Sequence, residues 1–215
     1  VKDYFAYKKQ YESLGKTFNP TQFTPDKWAA AAKDAGMKYV VFTTKHHDGF
    51  CMFDSKYTDY KITGKDCPFH THPQADVTKA IFDSFRKEGL WIGAYFSKPD
   101  WHSTDYWWPQ FPPLDRNCNY DPQQYPERWN NFVNFTHNQV MEICTNYGKI
   151  DLLWFDGGWV QKHDDPGKAP RIEGFRVKKP FNQDIKMDEL VTKIRSKQPD
   201  AIVVDRAVEG KNQNY

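Results

Sequence analysis

The chain has 215 residues, enough for one sizeable core. Its 30 basic and 28 acidic residues leave a formal charge of +2, which argues against a nucleic-acid partner bound through a basic face. No apolar run approaches the roughly 18 residues of a membrane span. The stretch Val1 to Gln10 has no signal-peptide core.

A helix is predicted to start at Thr24, a good N-cap with Pro25 behind it, and to stop near Gly36. The β-branched and aromatic run Lys38 to Thr44 reads as a strand. A second helix runs from Asp76 to Gly89, with Val77, Ile81 and Phe85 on one face, and Leu90 to Ser97 is the next strand. A third helix spans Pro126 to Gly148 and precedes the strand Ile150 to Asp156. The segment Trp159 to Asp184, with Pro166, Pro170 and Pro180, reads as a long loop above the sheet. A fourth helix, Met187 to Lys197, leads into the strand Ala201 to Asp205.

Near-continuous apolar strands alternating with helices predict an α/β fold with a parallel sheet covered on both faces. A closed (β/α)8 barrel and an open doubly wound sheet both fit. A whole barrel takes about 250 residues, so four units make about half of one.

In such folds the working groups follow the C-terminal ends of the strands. Here these are Lys45-His46-His47-Asp48-Gly49-Phe50, then Tyr95 and Ser97 with Asp100-Trp101-His102, then Trp154-Phe155-Asp156-Gly157-Gly158-Trp159, and Asp205-Arg206. Asp156, at a strand mouth and followed by two glycines, is open to a ligand. A carboxylate so placed can attack an anomeric carbon. It can equally cap the next segment or pair with Arg206.

His46 and His47 would point opposite ways on a strand, but at a strand end one or both can reach the pocket. They can hydrogen-bond sugar hydroxyls or bind a metal with Asp48. His70 and His72 resemble a metal pair but lie in a loop before a helix, where a solvated role is expected. Cys51, Cys67, Cys118 and Cys144 fit no zinc spacing, and free thiols or disulfides are both open. Aromatic residues reach 17%, with eight Trp. Most belong in the core, and a few can stack on a sugar.

Together these motifs resemble the α-L-fucosidases of glycoside hydrolase family 29. The run Lys38 to Phe50 with its His-His-Asp-Gly-Phe core is the specific part, continued by Asp54 to Tyr60. The stretch Phe18 to Met37, Gly93 to Ser97, Trp154 to Gly157 and Val204 to Arg206 follow the family's order.

The resemblance implies a (β/α)8 TIM-like barrel, partial in this chain. It implies retaining hydrolysis of terminal α-L-fucosyl residues from an oligosaccharide or glycoconjugate, with Asp156 as nucleophile. His46, His47, Tyr95, Trp154 and Arg206 would bind the sugar, with no metal or organic cofactor. A secreted, periplasmic or lysosomal setting is implied, and no oligomeric state.

Residues 1–215 are then expected to be one incomplete barrel domain. The family's opening His-Trp strand and Glu-Trp-Tyr run would precede Val1, and the acid/base glutamate would follow Tyr215. Glu209 comes too early for that role. A non-catalytic fucose-binding relative and a metal-dependent barrel hydrolase are the alternatives.

Overall fold

A computed structural model describes residues 3–113, 115–163, 181–205 and 214. The expected elements are present: α2 (Pro25–Asp34), β1 (Tyr39–Lys45), α3 (Val77–Lys87), β2 (Trp91–Ser97), α4 (Pro126–Asn146), β3 (Leu152–Asp156), α5 (Met187–Lys197) and β4 (Ile202–Asp205). An additional helix, α1 (Tyr4–Glu12), precedes them. It starts where the Asp3 carboxylate accepts from the Ala6 amide at 3.0 Å. None of its residues is fully buried, so it has no apolar stripe by which the sequence could reveal it.

Asp76 caps α3 by accepting from the Lys79 amide at 2.9 Å. Thr24 precedes α2 as expected, yet its hydroxyl makes no capping bond, and Pro25 sets the first turn. Most of the segment Trp159 to Asp184 lies outside the described residues.

The four strands form one sheet in the order β1-β2-β3-β4, with every neighbour parallel. Alternation along the strands separates two faces. Ile92, Ala94, Phe96, Leu153, Phe155 and Val203 are buried. They join the helix residues Ile81, Phe82, Phe132, Val140, Leu190 and Ile194 in the core.

The opposite face carries Tyr39, Trp91, Trp154 and Ile202, exposed at 57%, 59%, 39% and 38%. Among the described residues, therefore, helices cover only one face. A doubly wound sheet would place helices on both faces. Helices on one side only, around a parallel sheet, are the build of part of a (β/α) barrel.

Two lysines are wholly buried on the covered side. The β1–β2 register shifts between Thr43 and Lys45. The Lys45 ammonium meets Asp100 Oδ2 and Gln139 Oε1, each at 3.0 Å, and lies 4.4 Å from the Phe96 ring centroid. Asp100 Oδ1 accepts from the amides of His102 and Ser103. Lys98 meets Asp205 at 2.5 Å, both side chains fully buried.

Removing one member of a buried pair leaves the other charged and unsolvated. Asp100→Ala is expected to lower stability by about 3–5 kcal/mol. Urea unfolding of the protein carrying this chain measures it, and a loss below about 1 kcal/mol, the level of exposed pairs, would contradict the assignment.

Candidate active site at the strand mouths

The open face leads to a cluster where β1, β2 and β3 end. Tyr95 lies opposite Trp154, and Ser97 opposite Asp156. Alternation puts all four on one face, so the tyrosine and the carboxylate come from adjacent strands without any long loop.

Asp156 is held at both oxygens. Tyr95 donates its hydroxyl to Oδ2 at 2.7 Å, and the Gly157 amide donates to Oδ1 at 2.7 Å. The side chain is 16% exposed, so it is partly desolvated yet reachable. Gly157 is required there. Its φ is +91°, and an added Cβ would lie 2.3 Å from Pro99 Cδ.

The paired histidines sit just past β1, which ends at Lys45. Strand alternation no longer separates them, and their ring centroids are 4.2 Å apart. His46 is exposed and stacks on Tyr95, with centroids 5.7 Å apart and planes at 4°. His47 is nearly buried, at 9% exposure. Its Nδ1 hydrogen-bonds Ser97 Oγ at 2.8 Å, and its Nε2 faces Asp156 Oδ2 at 3.9 Å.

The indoles of Trp101 and Trp159 pack edge-on to the His47 ring, at 5.3 and 5.1 Å. Arg116 lies over Trp159 at 3.8 Å. The turn after the histidines passes through Gly49, φ +85°, where a Cβ would meet Asp100 Oδ1 at 2.3 Å.

Burial pushes His47 down to about 4, with His46 adding to the shift and the Asp156 carboxylate opposing it. The ring is therefore neutral at pH 7. Beneath the site, burial pushes Asp205 up to about 6 and Lys98 downward, against their mutual attraction. Lys98 is also tied to the rim, its amide donating to the Asp156 carbonyl at 3.0 Å.

The structure thus brings together His46, His47, Tyr95 and Asp156, with Trp154 beside Tyr95 on the same face. Arg206 and Glu209 lie outside the described residues. Ser97, Trp101 and Trp159 complete the surroundings of His47. They lie in the strand-end segments already marked, but their contacts with His47 had no local signal.

Asp48 does not join the histidines around a common point. It is half-buried, and burial raises its carboxyl. His70 is exposed and bonds the Cys67 carbonyl, while His72 stacks on Phe69 at 4.4 Å. All four cysteines are free and buried.

Among the described residues, the group able to hold a metal ion is His46, His47 and Asp156, with ligand atoms within 4.8 Å of one another. Two of its members are already engaged, His47 by Ser97 and Asp156 by Tyr95. Two imidazoles, a phenol and a fixed carboxylate converging on an open face can bind a polyhydroxylated ligand. A carboxylate of this kind has the chemistry of a nucleophile as well.

A family model described as Alpha-L-fucosidase matches residues 1–215. The chain is 31% identical over 140 residues to Alpha-L-fucosidase 1 of Arabidopsis thaliana, covering 65% of this chain and 23% of that protein. It is similar to the solved alpha-L-fucosidase isoenzyme 1 from Paenibacillus thiaminolyticus, with a TM-score of 0.67 and 39% identity. That match covers 91% of this chain and 41% of the other. A family 29 alpha-L-fucosidase from Bacteroides thetaiotaomicron matches with a TM-score of 0.64 and 27% identity, covering 91% of this chain and 37% of the other. It was captured as a trapped covalent intermediate with 2-fluoro-fucosyl fluoride, in a Glu-to-Gln variant. The chain spans about a quarter of the length of the Arabidopsis relative and about two-fifths of the solved structures.

His47 titration tests the site's electrostatics. Its NMR midpoint should fall near 4, and Asp156→Asn should lower it further by removing the negative charge that favours the imidazolium. An unfolded His titrates near about 6.5, so the unfolded state takes up this proton first, and stability should decline as pH falls from there toward 4. A midpoint near 6.5, or an upward move in Asp156→Asn, would contradict the geometry.

Proposed function

The chain belongs to the alpha-L-fucosidase family, and on that premise we propose that it carries the nucleophile half of a retaining fucosidase site, with Asp156 as nucleophile. The observation that carries this reading is the doubly anchored Asp156 carboxylate beside His47 on the open face. The hydroxyls of a terminal α-L-fucosyl residue would bond His46, His47 and Tyr95, and Trp154 and Arg206 would complete the sugar's surroundings. The substrate is a fucosylated oligosaccharide or glycoconjugate.

In the first step an Asp156 oxygen bonds to the anomeric carbon as the glycosidic bond breaks. A carboxylic acid beyond Tyr215 gives its proton to the leaving oxygen. In the second, the resulting carboxylate takes a proton from water, whose oxygen attacks the anomeric carbon and releases Asp156. Retention by this route places the two carboxyl groups about 5–5.5 Å apart. The bonds from Tyr95 and Gly157 hold the attacking carboxylate in one orientation, which removes part of the entropic barrier.

Residues 1–215 form part of one catalytic barrel domain in this reading, and a secreted, periplasmic or lysosomal setting fits it. Among the described residues no helix is long and apolar enough to cross a membrane.

The His46, His47 and Asp156 grouping also supports a second reading, metal-assisted hydrolysis. One experiment separates the two. In the full-length enzyme, Asp156→Ala is expected to cut kcat on an aryl fucoside by about a thousandfold or more, a loss typical of nucleophile removal. A chelator is expected to leave the unaltered enzyme unaffected. Near-normal turnover in Asp156→Ala would overturn the assignment, and loss of activity on chelation that zinc restores would favour the metal.

A further inference from the structure

A second concavity lies beside the strand mouths, between α1 and the loop that follows β2. It encloses about 420 Å³, within the range of small-ligand pockets. Its walls are rings: Tyr7 and Tyr11 from α1, and Trp101 and Trp107 from the loop. The two indoles stack with centroids 4.9 Å apart and planes at 4°. Tyr7 and Tyr11 remain 48% and 42% exposed.

Polar groups punctuate this aromatic lining. Asp48 and Asp115 both line the cavity. Asp115 Oδ1 accepts from the Asn117 amide at 2.7 Å, while Oδ2 is buried with no hydrogen-bond partner among the described residues.

The cavity shares its wall with the candidate active site. Trp101 lines it and also packs on His47, and its amide donates to the His47 carbonyl at 2.8 Å. Asp48 is the residue after His47. Arg116 lines the cavity and covers Trp159, which forms the other side of the His47 ring.

We propose that this cavity is a binding site for the leaving-group sugar, a pyranose ring to which the fucosyl residue is attached. The proposal rests on the fucosidase reading above. Aromatic faces would receive the C–H face of the ring, the Asp48 carboxyl that lines the cavity would meet its hydroxyls, and the common Trp101 wall keeps the ring next to the nucleophile's pocket. Helix α1, none of whose residues is fully buried, thereby acquires a role in choosing the glycoside.

The test uses full-length enzyme and two kinds of substrate: methyl α-L-fucoside, whose leaving group has no ring, and a panel of fucosyl disaccharides differing in linkage. Tyr7 is half-exposed, so its removal takes nothing from the core. On the best disaccharide, Tyr7→Ala is expected to lower kcat/KM about tenfold, the scale of one lost aromatic contact. Tyr7→Phe, which keeps the ring, should stay within about twofold of the unaltered enzyme, and so should Tyr7→Ala on methyl α-L-fucoside. Equal losses on both substrate kinds, or no loss on any disaccharide, would overturn the subsite. Failure of the unaltered enzyme to cleave any of these fucosides would instead overturn the fucosidase reading, and the subsite with it.

Discussion

Strand alternation in a parallel register is the constraint from which the rest follows. Because β2 and β3 pair with Tyr95 opposite Trp154 and Ser97 opposite Asp156, one face receives every polar group of the site from those strands. The other face, through Ile92, Ala94, Phe96, Leu153 and Phe155, is committed to the helices. A slip by one residue would send Asp156 into the apolar core and Phe155 to the rim. Register therefore sets the candidate site as well as the packing, and burial of the apolar set enforces it.

Beneath that face lie two buried cations, each doing a different structural task. Lys45 ties the end of β1 to Asp100 after β2 and to Gln139 on α4, fixing the turn that presents His46 and His47. Lys98 joins β4 through Asp205, while its own amide is bonded to the Asp156 carbonyl. The first arrangement positions the imidazoles and the second anchors the backbone of the carboxylate. A site assembled from three strand ends needs such cross-links, because its members share no local sequence.

That separation explains what was legible beforehand. Asp156 could be found because an apolar run, Leu152 to Phe155, ends in an acid and two glycines. Tyr95 follows from parity within its strand. His46 and His47 were expected to diverge only if the strand continued through them. It stops at Lys45, and their rings come within 4.2 Å.

Other features had no local trace. The pairs Lys45–Asp100 and Lys98–Asp205 join residues 55 and 107 positions apart. What lies over the open sheet face was not legible, because apolar strands look alike whether helices or the rest of a barrel cover them. Helix α1 escaped because a helix with no fully buried residue carries no stripe, although its tyrosines line a cavity.

The central claim is that a sugar becomes bonded to Asp156 during turnover. Incubating the full-length enzyme with 2-fluoro-fucosyl fluoride, digesting it and weighing the peptides by mass spectrometry interrogates that bond directly. The account predicts one fluorofucosyl adduct, on the peptide containing Trp154 to Gly157 and localised to Asp156. An adduct on another carboxylate, with Asp156 unmodified, would contradict it.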